Sequence, residues 1–189
     1  WSIFEDSFGD LWIGTSAGLN QFNYATEEFS HFKHNPMDST SLSHNTVLTI
    51  IQDDNGEIWL GTYGGGLSAF DKSAGTFINY GEKHGLPNNS VYGILEDESG
   101  YLWMSTNSGI SKFNPELKTF TNFDINDGLQ SNEFNSGAYF KNERTGELFF
   151  GGVKGFNRFF PKAITENTQT PEVAFTEMRL FNKATTTNT

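Results

Sequence analysis

An all-β fold, a β-propeller of four-stranded blades, is predicted by a phrase that recurs four times in this sequence. It reads Gly9-Asp10-Leu11-Trp12-Ile13-Gly14-Thr15, Gly56-Glu57-Ile58-Trp59-Leu60-Gly61-Thr62, Gly100-Tyr101-Leu102-Trp103-Met104-Ser105-Thr106 and Gly146-Glu147-Leu148-Phe149-Phe150-Gly151-Gly152. The aromatic position returns after 47, 44 and 46 residues, a period typical of one blade. Each repeat also alternates apolar and polar residues with period two between turn residues, the pattern of strands. A composition of 15% aromatic residues with 20 Gly and only 5 Pro in 189 residues supplies a core and many tight turns.

Residues 45–80 show the elements of a repeat in order. Val47 to Gln52 is a nearly continuous apolar run, as expected of the strand nearest a propeller axis. Asp53-Asp54-Asn55-Gly56 supplies a turn whose left-handed positions suit Asn and Gly. Ile58 to Thr62 is the second strand, with Trp59 on the face that packs between blades. Tyr63-Gly64-Gly65-Gly66 turns the chain, Leu67 to Asp71 is the third strand, and Phe77 to Tyr80 the outer one. The same order recurs over Leu95 to Phe123, and the first repeat offers Gly18 to Phe22 and Glu28 to Phe32. In the last repeat Phe134 stands 15 residues before Phe149, whereas Val47 and Val91 stand 12 before their Trp. Three extra residues therefore enlarge that inner strand or its hairpin. No helix signal is present.

These repeats make about three and a half blades of a larger ring, expected to have seven, over residues 1–161. The chain starts inside a strand, which predicts a segment of a longer polypeptide. Residues 162–172 are polar with a Pro at 171 and read as a linker. Residues 173–189 open with Val173 to Asn182, apolar at every second position, the expected first strand of a β-sandwich.

The formal net charge of −11 repels phosphate backbones and anionic lipid, so nucleic acid is excluded as an expected partner. The absence of cysteine removes disulfides, thiol nucleophiles and Cys-ligated metals. No apolar run is long enough to span a bilayer. His31 and His34 are spaced as paired metal ligands only on a helix, and they fall on an outer strand and loop, so no metal or cofactor is expected. Asp53-Asp54 and Asp97-Glu98 could hold calcium but sit at hairpin turns without a fuller ligand set. Asn88-Asn89-Ser90 matches a glycosylation sequon of little weight.

The Gly-x-Leu/Ile-Trp-hydrophobic-Gly-Thr phrase, followed by Gly-Leu and by Phe22-Asn23, Phe70-Asp71 or Phe113-Asn114, resembles the two-component regulator propeller repeat. The lead-ins Ser43 to Val47 and Leu86 to Val91 do so too. Gly128 to Asn135 with Gly151 to Phe159 resembles the last such repeat, which in that family precedes a small tyrosine-rich β-sandwich. The resemblance implies the periplasmic sensor part of an inner-membrane receptor, followed by a transmembrane helix and a histidine kinase or, in some members, a diguanylate cyclase. It implies a non-catalytic chain whose partners are a small polar ligand such as an oligosaccharide, the rest of its own receptor chain, and a second copy in a homodimer.

From the residues themselves, a ligand face is expected where the turns between second and third strands meet the lead-ins 33–46, 81–90 and 124–133. Asn45, Asn89 and Asn132 recur there, and a residue repeated in every blade is more often structural. The same holds for Trp12, Trp59 and Trp103 as sugar-stacking candidates. A single ligand breaks the symmetry of the repeats, so the ligand-binding candidates are the residues at which they disagree: Tyr63, Asn107, Lys154, His44 and Glu133. Two other classes stay open. One is a propeller enzyme, because Asp54 to Trp59 resembles the Asp-box of sialidase-type glycosidases and streptogramin-lyase-like propellers use similar strands. Against it, Ser7 and Glu98 replace Asp54 elsewhere, and the sequence has only Arg144, Arg158 and Arg179 to meet a substrate carboxylate. The other is a scaffold propeller that docks a protein.

Overall fold

The computed structural model describes residues 2–164 and the backbone of two short strands near the end of the chain. Blade 1 is β1 (Ser2–Glu5), β2 (Leu11–Thr15), β3 (Gly18–Asn23) and β4 (Glu28–Phe32). Blade 2 is β5 (Val47–Gln52), β6 (Ile58–Thr62), β7 (Gly66–Asp71) and β8 (Thr76–Tyr80). Blade 3 is β9 (Val91–Glu96), β10 (Leu102–Thr106), β11 (Gly109–Asn114) and β12 (Thr119–Phe123). Each is an antiparallel meander in chain order. Blade 4 has three described strands, β13 (Phe134–Asn142), β14 (Glu147–Gly152) and β15 (Gly155–Phe159). The strand expected over 173–182 lies outside the described residues except for the backbone of β16 (Arg179–Leu180), which pairs with β17 (Lys183–Ala184).

Trp12, Trp59 and Trp103 form the packing between blades. Trp12 packs into a cluster with Leu60, Phe70 and Phe77 of blade 2, Trp59 with Leu102, Met104 and Phe113 of blade 3, and Trp103 with Leu148 and Phe150 of blade 4. All three are fully or almost fully buried. A ring of that size removes about 150–250 Å² from water, a gross stabilisation of about 4–6 kcal/mol each.

Each of these three indoles is also clasped by an aspartate of its own blade. Trp12 Nε1 donates to Asp6 Oδ2 at 2.9 Å, Trp59 to Asp53 at 2.8 Å and Trp103 to Asp97 at 2.8 Å. The other carboxylate oxygen accepts two backbone N–H groups of the hairpin, Asn55 and Glu57 in blade 2. The acidic turns expected from turn chemistry thus tie the base of each blade to its buried ring. In blade 4 both partners change together: Asn142 accepts Arg144 N, and the register-matched Phe149 has no N–H to satisfy.

The opposite end is closed between neighbours. Gly18 N donates to Asn45 O, Gly66 N to Asn89 O and Gly109 N to Asn132 O, so each β-turn tip is completed by the next blade's lead-in. The same three asparagines accept, through Oδ1, the amides of His34, Glu82 and Ile125 where those lead-ins begin. Their recurrence is therefore structural. Glu82–His84, Ile125–Asp127 and Pro161–Ala163 form single 3-10 turns where no helix was expected. One turn is too short to leave a hydrophobic period in the sequence.

The enlargement of blade 4 is located by its register. Phe134 pairs Gly152 and Tyr139 pairs Phe150, leaving residues 135–138 as a wide bulge, against a one-residue bulge in β5 and in β9. Tyr139 then crosses blade 3, lying against Gly93, where any Cβ would overlap its ring, and its hydroxyl bonds Thr49 Oγ1 of blade 2 at 2.8 Å.

Candidate ligand-binding face

All five candidate residues stand at the end of the blades formed by the β-turn tips and lead-ins. Tyr63 is presented by an insertion: the tip of blade 2 has three residues, Tyr63-Gly64-Gly65, where the other tips have two. The glycines make this possible. Gly64 has φ +98°, and a Cβ on Gly65 would stand 2.6 Å from Ser43 Oγ and 2.8 Å from His44 Cβ, so the tip lies directly on the lead-in. Tyr63 N donates to Thr46 O and the residue bridges to Ser90, which fixes its backbone while the side chain is 53% exposed.

Tyr92, which the sequence did not single out, also belongs to this face. It is the bulge residue of β9, unpaired between Val91 and Gly93, and bulges re-aim side chains in this way. Burial pushes its hydroxyl above the usual tyrosine range, the nearby Tyr63 adds to this, a hydrogen bond with Asn107 opposes it, and Glu133 adds a smaller push. Three candidates from three tips and lead-ins, Tyr63, Asn107 and Glu133, thus lie near one half-buried phenol. The sequence signal was present: Leu48 and Tyr92 disagree at the second position of otherwise matched inner strands.

The other two candidates stand on the blade 2 lead-in and the blade 4 tip. His44 Nδ1 accepts Thr46 N at 3.0 Å, which places the imidazole proton on Nε2 as a donor. Lys154 has its backbone held by Gln130 Oε1 at 2.8 Å and follows Val153, whose N–H donates to Glu133 O. The arrangement offers an aromatic surface, a phenol, an amide and a carboxylate. It suits hydrogen bonding to hydroxyls beside an apolar ring face.

Among the described residues no group of three or more His, Cys, Asp and Glu is placed to hold a metal. Their helices include none long and apolar enough to cross a membrane. At the other end of the blades a cavity of about 250 Å³ lies between Tyr101, Lys112, Phe160 and Lys162, where Lys162 is paired with Glu98.

Residues 1–17, 41–64 and 85–108 match the family model described as two component regulator propeller. Histidine kinase P4 of Formosa agariphila is 34% identical over 188 residues, which are 97% of this chain and 13% of that protein. The extracellular domain described for the hybrid two component system BT3049 of B. thetaiotaomicron superposes with a TM-score of 0.74 at 28% identity, over 86% of this chain and 22% of that one. The corresponding domain of BT4673 gives 0.72 at 29%, over 85% and 22%. The chain thus spans about a fifth or less of the length of these relatives. The matched repeats, the blades they form and these likenesses make this chain a β-propeller of the two-component regulator propeller type.

Proposed function

We propose that this chain is a ligand-sensing propeller segment of a membrane-bound histidine kinase receptor, lying on the periplasmic side of the inner membrane. It binds a small polar ligand, an oligosaccharide by its chemistry, and passes the signal through the following β-sandwich to a transmembrane helix. The chain itself is non-catalytic. Its other partners are the rest of its own receptor and a second copy in a homodimer. The observation that carries the reading is the grouping of the exposed Tyr63 tip, Asn107 and Glu133 near the bulged Tyr92, at the place where the repeats disagree. The names of the relatives support the setting, since one is a histidine kinase and two are extracellular domains of hybrid two component systems.

Calorimetric titration with defined neutral oligosaccharides, combined with product analysis, tests this. Saturable binding without turnover is expected, weakened about tenfold or more by Tyr63→Ala and by Asn107→Ala, because a buried polar contact and a stacking surface each contribute on the order of 1–2 kcal/mol. Turnover would replace the sensor by a propeller enzyme. No binding would leave a protein-docking scaffold.

A further inference from the structure

A polar groove of about 510 Å³ opens on the same end of the molecule, beside the Tyr63 tip. It exists because one lead-in is long. Fourteen residues join β4 to β5, whereas ten join β8 to β9 and ten join β12 to β13. The extra length forms one wall, with Asp38 and Ser39. The next lead-in forms the other, with Lys83 and His84. Gly65 also lines it, and the absence of a side chain there lets the tip lie directly on Ser43 and His44.

Its surface is fixed by its own hydrogen bonds. Asn79 donates to Ser39 O at 3.3 Å and to Ser41 O at 2.8 Å and accepts the Ser68 hydroxyl at 2.7 Å, while Ser68 Oγ accepts in turn from the Ser43 hydroxyl at 2.7 Å. His34 Nδ1 donates to Leu42 O at 2.8 Å and His84 Nδ1 accepts Gly81 N at 2.9 Å, so the two rings present opposite hydrogen-bonding character at Nε2. The lining is hydroxyl, amide, imidazole and backbone, with Asp38 and Glu82 balanced in part by Lys83, and it includes no large apolar side chain. The volume is that of a ligand cleft, roughly 300–1,000 Å³. Gly64, on its rim, is the residue next to Tyr63.

We propose that this groove is a second subsite of the ligand face, taking further units of an uncharged, hydroxyl-rich chain whose first unit sits at Tyr63 and Tyr92. The ligand is then a chain longer than a disaccharide, whose third and fourth units reach the groove. This rests on the sensor reading above, and it adds a length requirement that the reading alone does not contain.

The test is a length series from glucose to maltohexaose, repeated with the cello- and manno-series, titrated against the intact chain and against Ser39→Trp and Lys83→Trp, which block the groove from opposite walls at exposed positions. In at least one series affinity should rise tenfold or more between the disaccharide and the tetramer and then level off. Either Trp variant should abolish that rise while leaving disaccharide affinity and the melting temperature unchanged. The second wall variant stands in if the first misfolds. Equal affinity for short and long members, or a rise unaffected by both variants, overturns the groove assignment and leaves the sensor reading intact. No binding by the unmodified chain at any length overturns both.

Discussion

Replacing Trp59 by Phe removes the indole N–H and also part of a buried ring, so a double-variant cycle is needed to isolate the hydrogen bond. Trp59 is fully buried, Asp53 is 6% exposed, and the lost bond is 2.8 Å long to a carboxylate. A hydrogen bond to a charged group contributes about 1.5–3 kcal/mol, and the oxygen left behind keeps its desolvation cost. The reciprocal change, Asp53→Asn, leaves one acceptor oxygen where the structure uses two, one for the indole and one for Asn55 and Glu57. It should cost a similar amount. The double variant reproduces the Asn142–Phe149 pairing of blade 4, so the penalties should overlap, with a coupling of about 1.5–3 kcal/mol. Urea unfolding followed by far-ultraviolet circular dichroism reads this as midpoint shifts on the order of 1 M for each single variant. Additive losses would show that the Asp–Trp contact is geometric only. Trp59→Ala, in contrast, removes the ring itself and should cost about 3–5 kcal/mol.

Gly93→Ala should lose about 1–3 kcal/mol as an overpacked site, because its Cβ meets the Tyr139 ring; thermal melts should recover when Tyr139→Ala is added. Ser105→Ala should raise stability by about 1 kcal/mol, since the fully buried Ser105 Oγ has no hydrogen-bond partner, and an unchanged urea midpoint would argue otherwise. Glu96 accepts Asp54 N across the blade 2–3 boundary, and desolvation first, then Asp54 and Asp53, raise it from 4.5 to about 7 against that bond and Lys141. An acid raised on folding stabilises most below its unfolded value and loses that contribution as pH climbs to its folded one. Stability should therefore fall between about pH 4.5 and 7, by on the order of 1 kcal/mol after solvent screening. Denaturation midpoints of Glu96→Gln across that range should lose this slope, the amide copying Gln52, which holds Ser7 N in the preceding blade pair.

The blades were legible because each repeat carries its own register: Trp, flanking glycines and turn residues recur at near-constant spacing. The clasp was half legible, since Asp6, Asp53 and Asp97 each stand six residues before a tryptophan, but their hairpin position also suits a simple turn. The end where tips and lead-ins gather was legible from the recurring Gly and Asn positions, and the Gly–Asn bonds join them there. Tyr92 escaped because a one-residue bulge changes where a strand residue points without changing its alternation. Tyr139 escaped for a further reason. Its partner Thr49 lies 90 residues away, and no local pattern encodes a contact that passes over an intervening blade.

The bonds from Gly18, Gly66 and Gly109 to the asparagines of the following lead-ins also set an order in time. During synthesis from the amino terminus, a blade's own strands emerge before the acceptor that finishes its tip. Each newly made repeat therefore stays incompletely locked until the next lead-in leaves the ribosome, and then closes its predecessor rather than itself. Assembly should advance blade by blade toward the carboxyl terminus, with the youngest repeat always the one open to proteases and chaperones.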